Sequence, residues 1–240
     1  MPLAARPVAL ITGSSGGIGE GIARRLAADG YAIVIHSRSS TSAGQAIATE
    51  LGGIYLQADL TNEAERVALV TGAHAQWGRL DVLVNNAGIS GVIPHDDLAA
   101  ATPDIWHALY EVNVVAPFRL IAAAAPLMPG GCVVNISSHA GVRPKGASIP
   151  YAASKAALNH MTRLLALSLA PGIRVNAVAP GLVDTPLTAE WAEARRLWQL
   201  RAPMRRGATP SDIAAIVAML VASDYITGEV VTVDGGLNLT

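Results

Sequence analysis

Seven short runs of aliphatic and β-branched residues punctuate the chain: PVALIT (7–12), YAIVIH (31–36), GIYLQA (53–58), LDVLVN (80–85), CVVNIS (132–137), IRVNAV (173–178) and EVVTV (229–233). Their apolar residues are largely continuous rather than alternating with polar ones, the pattern of strands covered on both faces. The segments between them carry helical apolar spacing. Strand alternating with helix predicts an α/β protein, a single-domain doubly wound parallel sheet of about seven strands flanked by helices.

Punctuation supports that order. Pro103 and Pro210 follow Thr102 and Thr209, which puts proline at the first helical position after a capping hydroxyl, and Asp212 completes a capping box with Thr209. Ala170-Pro171-Gly172 ends a long helix before the sixth strand. On that helix, 151–170, the line Leu158, Met161, Leu165 and Leu169 is expected to face the core. No repeat or Gly/Pro/Ser-rich linker divides the chain, so 1–240 is expected to form one dinucleotide-binding and catalytic domain. The irregular stretch 186–208 is expected to be a mobile helical lid within it.

The 240 residues are 51% hydrophobic, enough for one substantial core, and the formal net charge of −1 offers no global attraction to nucleic acid or an anionic membrane. A small-molecule partner is expected. Cys132 is the only cysteine, which rules out a disulfide framework and a cysteine-based metal site, fits a reducing cytoplasmic setting, and suits a small core residue. The histidines show no ligand spacing, so no metal is implied. The apolar start MPLAARPVALITG is too short for a secretory signal, and no stretch is expected to span a membrane.

The first strand runs into ITGSSGGIGE, a glycine turn leading to a helix, where free backbone N–H groups and the helix dipole suit a pyrophosphate. Gly13 permits the tight turn, Gly17 the approach of phosphate, and Gly19 close helix packing. In the Rossmann arrangement an acid about 20 residues on holds the ribose of NAD, whereas an arginine nearby accommodates the 2′-phosphate of NADP. Here the second strand ends His36-Ser37-Arg38-Ser39-Ser40, with no acid between Asp29 and Glu50. NADP(H) is therefore expected, with NAD(H) possible, Arg38 reading the phosphate and Ser37 and Ser39 donating hydroxyls.

Lys155 is one of two lysines in a chain that otherwise uses arginine, and it stands four residues after Tyr151. Positions i and i+4 share a helix face, which Asn159 continues. An adjacent ammonium favours phenolate and lowers a phenol that is otherwise a poor acid or base at neutral pH. The spacing alone also fits an exposed tyrosine and lysine on an ordinary helix. The fifth strand, however, delivers Ser137 and Ser138 to a carboxyl end of the sheet, where ligands bind in open α/β folds, and the fourth delivers Asn85, Asn86 and Gly88. Asn113 lies in the helix between them.

With these residues in place the sequence resembles the short-chain dehydrogenase/reductase family over essentially its whole length. TGSSGGIG is similar to that family's T-G-x-x-x-G-x-G, NNAG is shared, and Ser138, Tyr151 and Lys155 match its Ser and Y-x-x-x-K, with Asn113 completing a tetrad. Asp59-Leu60 looks like its adenine-contacting pair and PGLVDT (180–185) like its P-G-x-x-x-T beside the nicotinamide. The resemblance implies hydride transfer between a nicotinamide and a carbonyl or alcohol. It makes Tyr151 the general acid or base, Ser138 the holder of the substrate oxygen, Lys155 the group that tunes Tyr151 and holds the ribose, and Asn113 the anchor of a relaying water. Ser137 takes a supporting place. The cofactor set it implies comprises Gly13, Ser15, Gly17, Ile18, Gly19, Ser37, Arg38, Asp59, Leu60, Asn86, Ala87, Gly88, Tyr151, Lys155, Pro180, Gly181, Val183 and Thr185. One departure concerns Gly16, where NADP-preferring relatives frequently carry Arg or Lys.

By adjacency to these motifs, His139, Val142, Ile89, His95, Leu182 and the 186–208 segment are expected around the substrate. Arg195, Arg196, Arg201, Arg205 and Arg206 form either a solvated face or a patch for an anionic substrate or carrier such as an acyl thioester on acyl carrier protein; Trp191 and Trp198 are expected to pack. Members of the family reduce 3-oxoacyl thioesters, ketones, sugars and steroids, and the sequence leaves these open. Helices 103–127 and 151–170 are apolar beyond one core-facing stripe, and the resemblance implies a homotetramer paired through them. The alternative from another class is an NADP(H)-binding regulatory protein without turnover. Nucleic-acid binding lacks both a motif and a basic balance.

Overall fold

The computed structural model describes residues 6–240, so the first five residues of the apolar amino-terminal run lie outside it. Seven strands, β1 (Val8–Ile11), β2 (Ala32–Ser37), β3 (Ile54–Gln57), β4 (Val82–Asn85), β5 (Cys132–Ile136), β6 (Arg174–Pro180) and β7 (Val230–Val233), form one sheet in the order β3-β2-β1-β4-β5-β6-β7. Every pairing is parallel, as expected from the unbroken apolarity of the strands. Successive residues feed opposite faces: Val8 and Leu10 of β1 join one core cluster, and Ala9 and Ile11 join the other.

One face is covered by α1 (Gly17–Ala28), α2 (Thr41–Glu50) and α8 (Pro210–Ala222), through Ile22, Leu26, Ile47, Ile213 and Val217. The other is covered by α3 (Glu63–Trp77), α5 (Ala116–Ala124) and α6 (Ile149–Leu169), through Leu69, Val70, Leu120, Ile121 and Ala166. Ahead of α5, α4 (Pro103–Tyr110) passes through a π-helical turn at Glu111–Val115, and α7 (Ala192–Arg201) lies inside the expected lid segment. Strand order reverses at β1, opening the crevice at the carboxyl ends of β1 and β4 where such sheets take ligands.

The capping box at α8 is formed, Asp212 N–H donating to Thr209 Oγ1 at 3.3 Å and Thr209 N–H to Asp212 Oδ2 at 2.7 Å. Thr102 precedes Pro103 as expected, but its hydroxyl makes no capping bond. Cys132 is buried in β5, where desolvation pushes its thiol up to about 11.

Two expectations need correction. On α6 only Leu158 of the expected core line is fully buried, with Leu165 and Leu169 packed part-buried against the core and Met161 only half-buried; the helix also turns Lys155, Asn159, Thr162 and Ala166 inward. Most polar groups on that face have partners, Thr162 with the Leu158 carbonyl and Asn135, Lys155 with the Ile136 carbonyl, and Asn159 Nδ2 with the Gly141 carbonyl, which offsets their burial, while Asn159 Oδ1 has no partner. Likewise Pro103–Leu127 is one helical stretch of 25 residues that meets the length and hydropathy of a membrane span. Its apolarity serves the sheet, with Leu109, Ala116, Leu120, Ile121 and Ala124 buried, while Arg119 pairs with Glu63 at the surface.

Candidate active site

The glycine turn leaves β1 with Gly13 at φ +64° and Gly17 at φ +58°, a region costly for other residues. Gly19 is fixed by space: a Cβ there would lie 2.4 Å from the Gly13 carbonyl oxygen and 2.5 Å from Asn86 Nδ2. The turn is tied to the loop after β4. Thr12 Oγ1 accepts from the Asn86 and Ala87 amides, both at 3.0 Å, and Asn86 Nδ2 donates to the Thr12 and Gly13 carbonyls at 2.9 and 3.0 Å.

On its other side the turn is tied to β2. Ser14 Oγ donates to the Ile11 carbonyl at 2.7 Å and accepts from the His36 amide at 3.0 Å. The His36 ring is buried, its Nδ1 accepting from the Gly13 amide at 3.1 Å and its Nε2 lying 3.1 Å from the Ala58 carbonyl. Thr12, Ser14 and the His36 ring were not singled out from sequence; a Ser/Thr/His set in a turn has no distinctive spacing, and only the alignment of β1, β2 and β4 brings the groups together.

A cavity of about 620 Å³ lies over this framework, and Gly13, Ser15, Gly17, Ile18, Ser37, Arg38, Asp59, Leu60, Asn86, Ala87, Gly88, Tyr151, Lys155 and Thr185 all line it. Gly19, Pro180, Gly181 and Val183 do not: Pro180 and Val183 are buried, and Gly181 packs under Trp198 and Asp234. Asn85 is also turned away, donating through Nδ2 to Asn135 Oδ1 at 2.9 Å within the core. At the far end Arg38 is exposed, while Ser37 is buried with its hydroxyl 2.9 Å from the Tyr55 hydroxyl; Ser39 and Ser40 stand on the cavity wall beside Arg38. Thr61 holds the Asp59 carboxyl below its ordinary value through backbone and hydroxyl hydrogen bonds.

Ser148 caps α6, accepting from the Tyr151 amide at 3.3 Å, and so sets the first turn that carries the phenol. The Lys155 ammonium lies 5.9 Å from the Tyr151 ring centroid and donates to the Ile136 carbonyl at 3.0 Å. Burial brings Lys155 down to about 8. Burial also raises Tyr151 above 10.0, against a downward pull from the neighbouring Ser138 hydroxyl. The expected lowering of the phenol by the ammonium is not seen here: desolvation dominates, Ser138 supplies the downward pull, and the ammonium is turned to a carbonyl. The cavity wall takes Ser137 rather than Ser138, yet the Ser137 hydroxyl is engaged, donating to the Lys155 carbonyl at 3.2 Å.

Asn113 sits in the π-helical turn, a local widening frequent at functional sites. It is buried, accepts from the Ile89 amide at 3.0 Å, and donates to the Ile89 carbonyl at 3.0 Å and Ser154 Oγ at 3.1 Å. A Cβ on Gly88 would come within 3.0 Å of Asn113 Oδ1 and 3.4 Å of Lys155 Nζ, so the bare glycine leaves room for both side chains.

Of the expected substrate neighbours, Ile89 lines the cavity, and so do Pro186 and Leu187 from the lid segment, joined by Ser90 and Val112. His139 does not. It is buried against Trp198, centroids 6.0 Å apart, with Nε2 3.7 Å from Asp234, and borders a separate cavity of about 180 Å³ with Arg143, Lys145 and Arg201. Leu182 is buried, Val142 is exposed, and His95 Nε2 lies 3.1 Å from the Gly146 carbonyl. The arginine run is divided, Arg195 pairing with Asp184 at 3.2 Å and Arg206 with Asp212 at 2.7 Å. Arg205 donates to the Leu200 carbonyl at 3.0 Å, while Arg196 and Arg201 are exposed.

The whole arrangement has close counterparts. A family model described as Enoyl-(Acyl carrier protein) reductase matches residues 13–238. The "Granaticin polyketide synthase putative ketoacyl reductase 2" of Streptomyces violaceoruber is 47% identical over 240 residues, covering 97% of this chain and 96% of that protein. The crystal structure of a short-chain dehydrogenase from Burkholderia cenocepacia J2315 in complex with NADP superposes with a TM-score of 0.90 at 38% identity, over 97% of this chain and 98% of the other. That of a blue fluorescent protein from a metagenomic library in complex with NADPH gives a TM-score of 0.90 at 40% identity, over 96% and 97% of the two chains. The chain belongs to the short-chain dehydrogenase/reductase family, a class of oxidoreductases.

Proposed function

We propose that this protein transfers a hydride between NADP(H) and a carbonyl or alcohol substrate, with Tyr151 as general acid or base. The observation that carries the reading is one cavity walled by a positive-φ glycine turn, Arg38 and the Tyr151–Lys155 helix, with Ser138 beside the phenol. The residues fit a dinucleotide: Gly13 and Gly17 adopt backbone conformations that suit a phosphate turn, and Arg38, the one arginine on the wall among the described residues, stands at the end where a 2′-phosphate would lie. NADP-bound and NADPH-bound structures among the relatives support the same choice.

When bound, the cofactor supplies or accepts the hydride at the substrate carbon. The protein supplies the proton. In reduction the Tyr151 phenol gives its proton to the carbonyl oxygen as the carbon receives the hydride, leaving phenolate; oxidation reverses both transfers. Ser138 donates to the same oxygen and stabilises the charge that develops on it. Lys155 favours the phenolate once it forms, holds the ribose hydroxyls, and with an Asn113-anchored water returns a proton to the tyrosine. A phenol above its ordinary value is protonated at neutral pH, the form that carbonyl reduction requires.

The chain acts in this reading as one domain, with 186–208 as a lid whose Pro186 and Leu187 line the cavity. Exposed Phe118, Leu164 and Leu167 support homotetramer assembly, and a single buried thiol supports a cytoplasmic setting. The polyketide ketoacyl reductase among the relatives supports testing 3-oxoacyl thioesters first among candidate substrates. The test is a panel of 3-oxoacyl thioesters, ketones, sugars and steroids assayed with NADPH and NADH. Oxidation of NADPH by at least one carbonyl supports the proposal; tight NADPH binding with no turnover across the panel favours a regulatory protein instead.

A further inference from the structure

Resting on that reading of the cofactor, we infer that His36 is a positioning residue: a neutral imidazole that fixes the Gly13 amide and thereby the turn that takes the pyrophosphate. A backbone amide can only donate, so the ring nitrogen 3.1 Å from Gly13 N must present a lone pair. Nδ1 is therefore unprotonated, and the ring proton sits on Nε2, where it donates to the Ala58 carbonyl at 3.1 Å. Of the three protonation states of histidine only this one fits both partners. An imidazolium would turn a second N–H toward the Gly13 N–H, and the other tautomer would leave two acceptors facing each other at Ala58. Burial favours the neutral ring, pushing His36 below its ordinary value although the Ala58 carbonyl opposes the shift.

The main chain of His36 grips the next turn residue as well, its N–H donating to Ser14 Oγ at 3.0 Å and its carbonyl accepting from the Ser14 amide at 2.9 Å. Two consecutive residues of the turn thus hang on one residue of β2. Ala58, on the far side of the ring, immediately precedes Asp59 and Leu60 on the cavity wall. One ring therefore sets the spacing between the phosphate turn and the opposite end of the same cavity, and Gly13, held in the left-handed region, has its amide aimed by a side chain rather than by a helix or strand partner.

The test is equilibrium NADPH binding, by fluorescence titration of the full chain, to the parent and to His36→Asn, His36→Gln and His36→Leu, with thermal melting and steady-state kinetics alongside. Asparagine places an amide oxygen where Nδ1 stood, and glutamine reaches toward Ala58 without that acceptor. We expect His36→Asn to bind within threefold of the parent, and His36→Gln and His36→Leu to bind at least tenfold more weakly. KM for NADPH should follow Kd while kcat at saturation stays within twofold. Should His36→Leu fail to fold, the Asn and Gln pair still decides. Equal affinities of those two, or a loss in kcat with Kd unchanged, would overturn the inference. In the parent itself, long-range 1H–15N spectra at about pH 7 should show the Nε2–H tautomer, and the Nδ1–H tautomer would also overturn it. No NADPH binding by the parent overturns the cofactor reading and this role together; parent binding with all variants alike overturns the role alone.

Discussion

Replacing Lys155 by methionine keeps the length of the stem and removes the charge from a site where the side chain is 5% exposed. Burial lowers the ammonium from 10.5 to about 8, which corresponds to roughly 3 kcal/mol of penalty on the charged form. The hydrogen bond to the Ile136 carbonyl at 3.0 Å opposes it, by about 1.5–3 kcal/mol for a charged donor. The two oppose each other, so at pH 7 parent and variant should unfold within about 2 kcal/mol of each other. The separation comes with pH. Below 8 both folded and unfolded chains hold the proton; between about 8 and 10.5 the folded chain has released it and the unfolded chain has not. The unfolded state then binds more protons, so stability rises with pH. Raising the pH from 7 to 9 should shift the difference by roughly 1 kcal/mol in favour of the parent. Urea denaturation of the two proteins at both pH values measures it, other groups cancelling in the difference. A difference that stays flat, or moves toward the variant, would refute the desolvated lysine at the cavity wall.

Other outcomes follow from the same geometry. Arg38→Ala should raise KM for NADPH at least tenfold while KM for NADH moves less than twofold; equal changes would show that Arg38 reads no phosphate. Gly19→Ala forces a methyl to within 2.4 Å of the Gly13 carbonyl oxygen, so NADPH affinity should fall at least tenfold with a lower melting temperature. Unchanged binding would contradict the packed turn. Light scattering at micromolar concentration should report a tetramer joined through the faces that carry Phe118, Leu164 and Leu167, and a monomer would contradict that assembly.

The strands were legible because a parallel sheet buried on both faces leaves unbroken apolar runs, and those runs match the observed strands to within two residues at each end. The glycine turn and the Tyr151–Lys155 spacing were legible because positive φ and a shared helix face impose residue types at fixed intervals. The inward face of α6 was not. Apolar spacing pointed to Leu158, Met161, Leu165 and Leu169, whereas the helix also buries Lys155, Asn159 and Thr162, a choice that depends on carbonyl and side-chain amide partners contributed by β5 and the loop after it. His139 illustrates a different limit. Adjacency to Ser138 suggested the substrate, but the short helical turn at His139–Gly141 points the ring toward Asp234 and Trp198. The bonds of Thr12, Ser14 and His36 to the turn exist only through the register of three strands.

The most direct measurement is turnover by Tyr151→Phe, which deletes one hydroxyl and keeps the ring. With a carbonyl that the parent reduces, kcat should fall by about 10²–10⁴, while Kd for NADPH stays within threefold. A variant that reduces the substrate at the parent's rate would contradict proton transfer by Tyr151.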